Sequence, residues 1–251
     1  MINLPKEMPK LEQQIFCNNE NQIHYTSVPP IPENLLYENN KNKIAAWVLH
    51  ESMVPSLKLD IAVPHEDILA EALINRDRFV KHRGHTSPGW TSMAIHGTAV
   101  EDTQPREHYI KEGKYTEDTC PEYHWTELAD SCPVTKAWLE SLNFQLFHRV
   151  RFMNIDPGGW ISSHADTDTR GLQAWNVSIN EPVGHTFCMD GFGYVPWQAG
   201  EVRGIDIGLT HTIVNTGPEP RIHIIILGHH SHEFNELMIR SYGILYNDVK
   251  N

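Results

Sequence analysis

Residues 202–228, "VRGIDIGLTHTIVNTGPEPRIHIIILG", are three short apolar runs, "VRGIDI", "HTIVN" and "RIHIIIL", separated by the turn residues "GL" and "TGPEP". Runs of this length, rich in Val and Ile and bounded by Gly and Pro, read as β-strands. The same texture starts at Phe144. Strands are expected upstream in "FQLFHRVRFMNI", "WISSHA", "LQAWNVSI", "GHTFCM" and "YVPW", punctuated by "DPGG", "NEP", "DGFG" and "QAGE". "DGFG" is the clearest hairpin, because its glycines reach positive φ at little cost. Eight strands at roughly ten-residue spacing indicate an all-β sandwich or barrel. The expected core is a double-stranded β-helix, or jelly roll.

Outside this core the pattern is mixed. Residues 1–43 are rich in Asn, Pro and Glu with no sustained period, and are expected to form an irregular N-terminal arm. "LKLDIAV" reads as a strand. "PHEDILAEALINRDRFVKH" reads as one helix, with acids in its first turn, Lys81 and His82 at its end and Gly84 beyond. Ile68, Leu69, Ala72, Leu73, Phe79 and Val80 would form its buried stripe. "GWTSMAIHG" is a further strand, residues 99–125 are a long polar connection, and "CPVTKAWLESL" is a helix with Pro133 in its first turn. "SHEFNELMIRSYGIL" closes the chain as a helix. The fold class expected is mainly β with flanking helices (α+β), with a cupin-like jelly-roll core. The arm at 1–43 would precede a single domain at 44–251, with its core at about 144–228.

Composition narrows the function. The 251 residues carry 20 Lys+Arg against 32 Asp+Glu, a net charge of −12 with neutral His, so no basic stripe is available to track a phosphate backbone. Nucleic acid is not an expected partner. The opening "MINLPKEMPKLEQQIF" lacks a basic segment followed by an apolar run, and no stretch of about 18 apolar residues occurs. A cytoplasmic protein without membrane contact is expected. The four cysteines are scattered, which fits reduced thiols better than a disulfide framework. Oligomeric state is not readable from the chain.

The chemistry concentrates in "GGWISSHADTDTRG", residues 158–171. In a strand, residues i and i+2 share a face, so His164 and Asp166 can aim an imidazole and a carboxylate at one point. Two histidines and a carboxylate on one face of an octahedral ion form the facial triad of non-haem iron sites. An isolated H-x-D also arises by chance, and a second histidine is needed. His211 stands out because it opens a strand that a sandwich can fold against the first. Ten residues later, Arg221 begins the most apolar strand of the chain. A buried guanidinium needs an anionic partner, either a ligand carboxylate or a protein acid such as Asp206. Asp206 itself reads equally as a partner for a metal-bound histidine or as a structural acid near Arg203. "GHHSH" (His229, His230, His232) is expected at a pocket rim or in solvent, and His223 shares a strand face with Arg221.

The segment 157–228 resembles the aspartyl/asparaginyl β-hydroxylase family of 2-oxoglutarate-dependent oxygenases. The matching elements are a Pro-Gly turn before H-x-D, a W-x-x-G-E turn before the strand holding Asp206, and a histidine followed ten residues later by Arg in "RIH". "GWTSMAIHG" is a weaker echo upstream. The resemblance implies Fe(II) bound by His164, Asp166 and His211, with Arg221 holding the distal carboxylate of 2-oxoglutarate. It implies O₂ as oxidant, succinate and CO₂ as products, and hydroxylation of an unactivated C–H in a free amino acid or in an Asp/Asn side chain of a peptide. The family places an R-x-H on the strand after H-x-D to help hold the cosubstrate. "QAWNVSIN" lacks both residues, leaving Asn176 or Ser178 as substitutes. Arg170 and Trp90 are expected at the substrate rim. The competing reading is a jelly roll that binds a metal or ligand without catalysis, with a cupin-type isomerase as a third. Arg221 discriminates, since a binding module has no need of a carboxylate clamp.

Overall fold

The computed structural model describes residues 4–19, 21–36, 43–82, 87–166 and 174–250. Strands β1 (Ser56–Lys58), β2 (Val80–Lys81), β3 (Trp90–Gly97) and β4 (His124–Trp125) precede the core strands. These are β5 (Leu146–Ile155), β6 (Trp160–His164), β7 (Ala174–Ser178), β8 (His185–Met189), β9 (Gly193–Tyr194), β10 (Val202–Ile205), β11 (His211–Asn215) and β12 (Arg221–His229). They divide between two antiparallel sheets. One runs β10-β7-β12-β5, the other β6-β11-β8-β9, so the chain crosses between sheets after nearly every strand. That alternation is the double-stranded β-helix the sequence predicts. The first sheet is extended by β1 on the β10 edge and by β3 and β2 on the β5 edge.

The strand β12 shows how the sheet is held. Ile222, Ile224 and Ile226 face outward into a core shared with Trp138 and Leu139 of helix α3 (Pro133–Ser141) and with Phe234, Met238 and Tyr242 of helix α4 (His232–Lys250). Burial of each isoleucine contributes about 1.5–3 kcal/mol. The opposite face looks between the sheets, where Met153, Ile155, Ile161, Phe187, Ile213 and Leu227 form a second core. The barrel is therefore closed by apolar packing on both faces of one sheet.

Several expectations are corrected at the periphery. Residues 1–43 are not irregular throughout: helix α1 (Lys10–Asn18) buries Ile15 and Phe16 against Trp160, Cys188 and Val214 of the smaller sheet. The long helix expected to reach His82 stops at Ile74 as α2 (His65–Ile74). There Asn75 turns its side-chain amide back onto the Glu71 carbonyl at 2.9 Å, ending the helical register. A short turn at Arg76–Arg78 follows, and Val80–Lys81 pairs with β3 instead. Ile68 and Ala72 are buried as expected, but Leu73 is exposed. Gly84 lies outside the described residues. "LKLDIAV" supplies only the end of β1, and of "YVPW" only Tyr194 lies in β9, with Pro196, which has no N–H to donate, two residues on.

Candidate metal and cosubstrate site

The turn that delivers the first ligands is built from close backbone approach. Gly158 has φ +76°, and a Cβ on Gly159 would stand 2.8 Å from the Pro88 carbonyl oxygen and 2.9 Å from that of Asp156. Glycine is required at both positions. The bend starts β6, whose last residue, His164, is the register partner of His211, the first residue of β11. Two residues on, the Asp166 N–H donates to the Ile207 carbonyl at 2.7 Å, which holds the carboxylate beside the histidines.

His164, Asp166 and His211 each offer a donor atom, and these atoms lie within 4.8 Å of one another. Among the described residues no other such group occurs. Each histidine's Nδ1 contacts a backbone carbonyl, Ser162 at 2.8 Å for His164 and Leu209 at 2.9 Å for His211. A carbonyl only accepts, so Nδ1 carries the proton and Nε2 presents its lone pair. His164 Nε2 lies 3.9 Å from Asp166 Oδ1. Outer hydrogen bonds of this kind fix ring orientation in metal sites. Phe187 stacks on His211 with ring centroids 5.5 Å apart. Burial, and then the neighbouring His164, depress the His211 pKa to about 4, so its ring is neutral near pH 7. Two imidazoles whose Nε2 lone pairs face a half-exposed carboxylate, with His211 buried and neutral, fit a divalent cation.

The donors open onto a cavity of about 900 Å³. Arg221 lies at its inner end, buried at 2% exposure and opposite Ile155 in the sheet. Its Nη2 donates to His223 Nδ1, while Nε is buried without a hydrogen bond. Burial lowers its pKa to about 9, opposed by nearby Glu181. Arg221 does not pair with Asp206. That acid instead meets His50 Nδ1 at 2.7 Å and accepts the Gly208 N–H at 3.0 Å. Nor does Asp206 bond Arg203, which pairs with Glu201 at 3.0 Å.

The remaining expected residues separate. Asn176 lines the cavity, whereas Ser178 does not and donates to Glu181 Oε2 at 3.1 Å. Trp90 lines the cavity, with its ring centroid 6.4 Å from His164. Arg170 lies outside the described residues. Of the "GHHSH" histidines, His229 lines the cavity, His230 accepts the Trp175 indole N–H at 2.8 Å within the core, and His232 is exposed. The sequence reading missed His82, which packs on Trp90 at 4.3 Å, and Glu181, which sat unnoticed in the "NEP" turn. For Arg149 and Arg151 the sequence favours sandwich-face residues, with an inward arginine meeting an acidic substrate as the alternative. They alternate inward on β5 and line the outer cavity, and the i, i+2 spacing was the available signal.

No curated protein matches the sequence significantly. Solved structures similar to this chain include a Pseudomonas putida prolyl-4-hydroxylase, at 14% identity and TM-score 0.41, over 75% of this chain and 97% of that one. Another is a 2OG-Fe(II) oxygenase family oxidoreductase from Burkholderia pseudomallei, at 13% identity and TM-score 0.42, over 83% and 95%. A Lactobacillus farciminis oxalate decarboxylase aligns at 16% identity and TM-score 0.32, over 62% and 32%. The sequence profile of one family, aspartyl/asparaginyl β-hydroxylase, matches residues 72–231, well over half the chain and spanning every candidate ligand described above. The chain therefore belongs to the aspartyl/asparaginyl β-hydroxylase family, a family of hydroxylating enzymes.

Proposed function

We propose that the protein is an Fe(II)- and 2-oxoglutarate-dependent dioxygenase that hydroxylates an unactivated C–H of a free amino acid or of an Asp/Asn side chain in a peptide. The observation that carries this reading is the pairing of two features in one cavity. Three donors of the His–Asp–His type converge at its wall, and a buried arginine with an uncommitted N–H stands at its inner end.

A bound Fe(II) with 2-oxoglutarate and O₂ supplies the oxidant for C–H hydroxylation, with succinate and CO₂ as co-products. The protein's share is positioning. His164, Asp166 and His211 would hold the metal and leave its remaining positions facing the cavity. Arg221 would orient the 2-oxo acid by its distal carboxylate, with Asn176 available along the same wall. Phe187, Ile213 and Ile225 keep the inner cavity apolar, which protects a reactive centre from water. The outer cavity, with Trp90, Arg149 and Arg151, is the place for the amino-acid or peptide substrate. Among the described residues no helix is long and apolar enough to cross a membrane. A non-catalytic cupin-like binder would use the three donors but gives Arg221 no task.

The test is succinate formation from 2-oxoglutarate with Fe(II), ascorbate and O₂, followed by a screen of amino acids and peptides for products 16 mass units heavier. Succinate at least tenfold above a His164→Ala control is expected. Equal succinate from both proteins, with iron shown to be bound by the wild type, would reject the oxygenase reading.

A further inference from the structure

Behind Arg221, away from the metal donors, four ionisable side chains meet in a buried cluster. Glu181, in the turn after β7, places Oε1 2.5 Å from His185 Nδ1 and Oε2 3.6 Å from His223 Nε2. Ser178 also donates to Oε2. A guanidinium only donates, so His223 Nδ1, which contacts Arg221 Nη2, is the accepting nitrogen and its proton sits on Nε2, toward Glu181. His185 gives its Nδ1–H to Glu181, and its buried Nε2 has no hydrogen-bond partner.

The charges in this cluster already cancel. Burial, and then the charge of Arg221, hold both imidazoles below the usual histidine range, so both are neutral near pH 7. Burial works to raise the Glu181 pKa, but the hydrogen bond from His185 and the nearby His223 ring outweigh it and keep the group ionised. That leaves Arg221 positive and Glu181 negative. Among the described residues the neighbouring elements add no further titratable side chain at these contacts. β5 presents Met153 opposite His223 and Ile155 opposite Arg221, β11 presents Asn215 opposite His185, and Trp197 packs on His223 at 4.8 Å.

A carboxylate brought against Arg221 would add one negative charge to a neutral, water-poor site, and an uncompensated charge there is costly. We propose that the distal carboxylate of the cosubstrate binds Arg221 together with one proton from solvent, taken up by the His185–His223 pair. This rests on the 2-oxo acid reading given above. The proton joins an imidazole lone pair, either His185 Nε2 or the His223 Nδ1 released as Arg221 turns to the ligand. The two rings share one carboxylate and titrate as a unit. Glu181 then balances an imidazolium, and the charge of Arg221 is freed for the ligand. A lone acid beside Arg221 would lock it in an ion pair; an acid held by two histidines does not.

The experiment is calorimetric titration of the Mn(II)-loaded protein with 2-oxoglutarate in two buffers of different ionisation enthalpy. Uptake of about one proton per ligand is expected, with affinity falling by up to about tenfold per unit rise in pH above neutrality. 2-Oxobutyrate has the same 2-oxo acid head but no distal carboxylate, and should bind with no uptake. His185→Gln or His223→Gln should cut the uptake seen with 2-oxoglutarate to half or less. If neither variant folds, the comparison of the two ligands on the wild type still decides. Binding of 2-oxoglutarate without uptake, or equal uptake with both ligands, overturns the inference while leaving the proposed function standing. Failure of the metal-loaded protein to bind 2-oxoglutarate at all would overturn that function, and this inference with it.

Discussion

Two of the buried arginines in the larger sheet, Arg203 and Arg221, sit on strands β10 and β12 that flank β7, and they are treated in opposite ways. Arg203 is saturated: Nε meets Glu201 at 3.0 Å, Nη2 donates to the Pro196 carbonyl at 2.9 Å, and the guanidinium lies 5.7 Å from the Trp197 ring. Lys58 reinforces the same Glu201 at 2.8 Å. Arg221 faces a cavity, makes one side-chain hydrogen bond to a neutral imidazole, and forms no ion pair with an acid among the described residues. Folding neutralises the first charge within the protein. The second is balanced by Glu181 only through space, without a direct ion pair, so an N–H stays open to a ligand, which is how a binding group differs from a structural one of the same type.

Removing each arginine should break the comparison in a different observable. Arg203→Ala leaves buried Glu201 with Lys58 as its one remaining cationic partner among the described residues, and should lower unfolding free energy by about 3–5 kcal/mol in chemical denaturation. The protein that remains folded should bind 2-oxoglutarate within about threefold of wild type, since Arg203 does not line the cavity. Arg221→Ala should do the reverse. It should weaken 2-oxoglutarate by about 2–4 kcal/mol, roughly 30- to 1000-fold, in a binding titration, with metal affinity changed less than about threefold. Equal loss of metal and 2-oxoglutarate binding would make Arg221 structural.

The contrast extends to histidines. His96 is buried as part of the scaffold: burial drives its pKa to about 4, opposed by its contact with the His148 carbonyl. A depressed folded-state pKa means that the unfolded chain binds the proton first. Stability should thus be full above about pH 6.5 and fall by on the order of 2–3 kcal/mol as the pH drops toward 4. His96→Gln should flatten that part of the profile in thermal or urea unfolding. An unchanged profile would assign the acid sensitivity to other groups. His185 and His223, if they serve the ligand, should instead show their titration in cosubstrate affinity.

The difference between the arginines was only half visible in the sequence. Periodicity located the core strands well, and "HTIVN" matched β11 residue for residue, because strands closed on both faces leave a dense apolar signature. His164 and Asp166 were legible from spacing, and His211 from its position opening a strand. Arg221 was legible because a charge at the head of "RIHIIIL" conflicts with its surroundings. The acid of Arg203 was not, since Glu201 and Asp206 lie two and three residues from it in sequence. Only the pairing of β1 with β10, together with the loop carrying Pro196, settles which is used. Glu181 escaped notice for a related reason: a turn residue looks solvated until the fold sets it between His185, four residues on, and His223 from the distant strand β12. The end of α2 was lost because a single Asn75 backbone–side-chain contact outweighs a favourable helical pattern.

The central claim is that the three donors and Arg221 form one site rather than two neighbouring features. It is tested most directly by the affinity for 2-oxoglutarate measured with and without Mn(II), on wild type and on His211→Ala. The account predicts binding at least about 100-fold tighter with the metal in the wild type, and loss of that gain in His211→Ala. The same affinity with and without metal, or a gain that survives in His211→Ala, would contradict it.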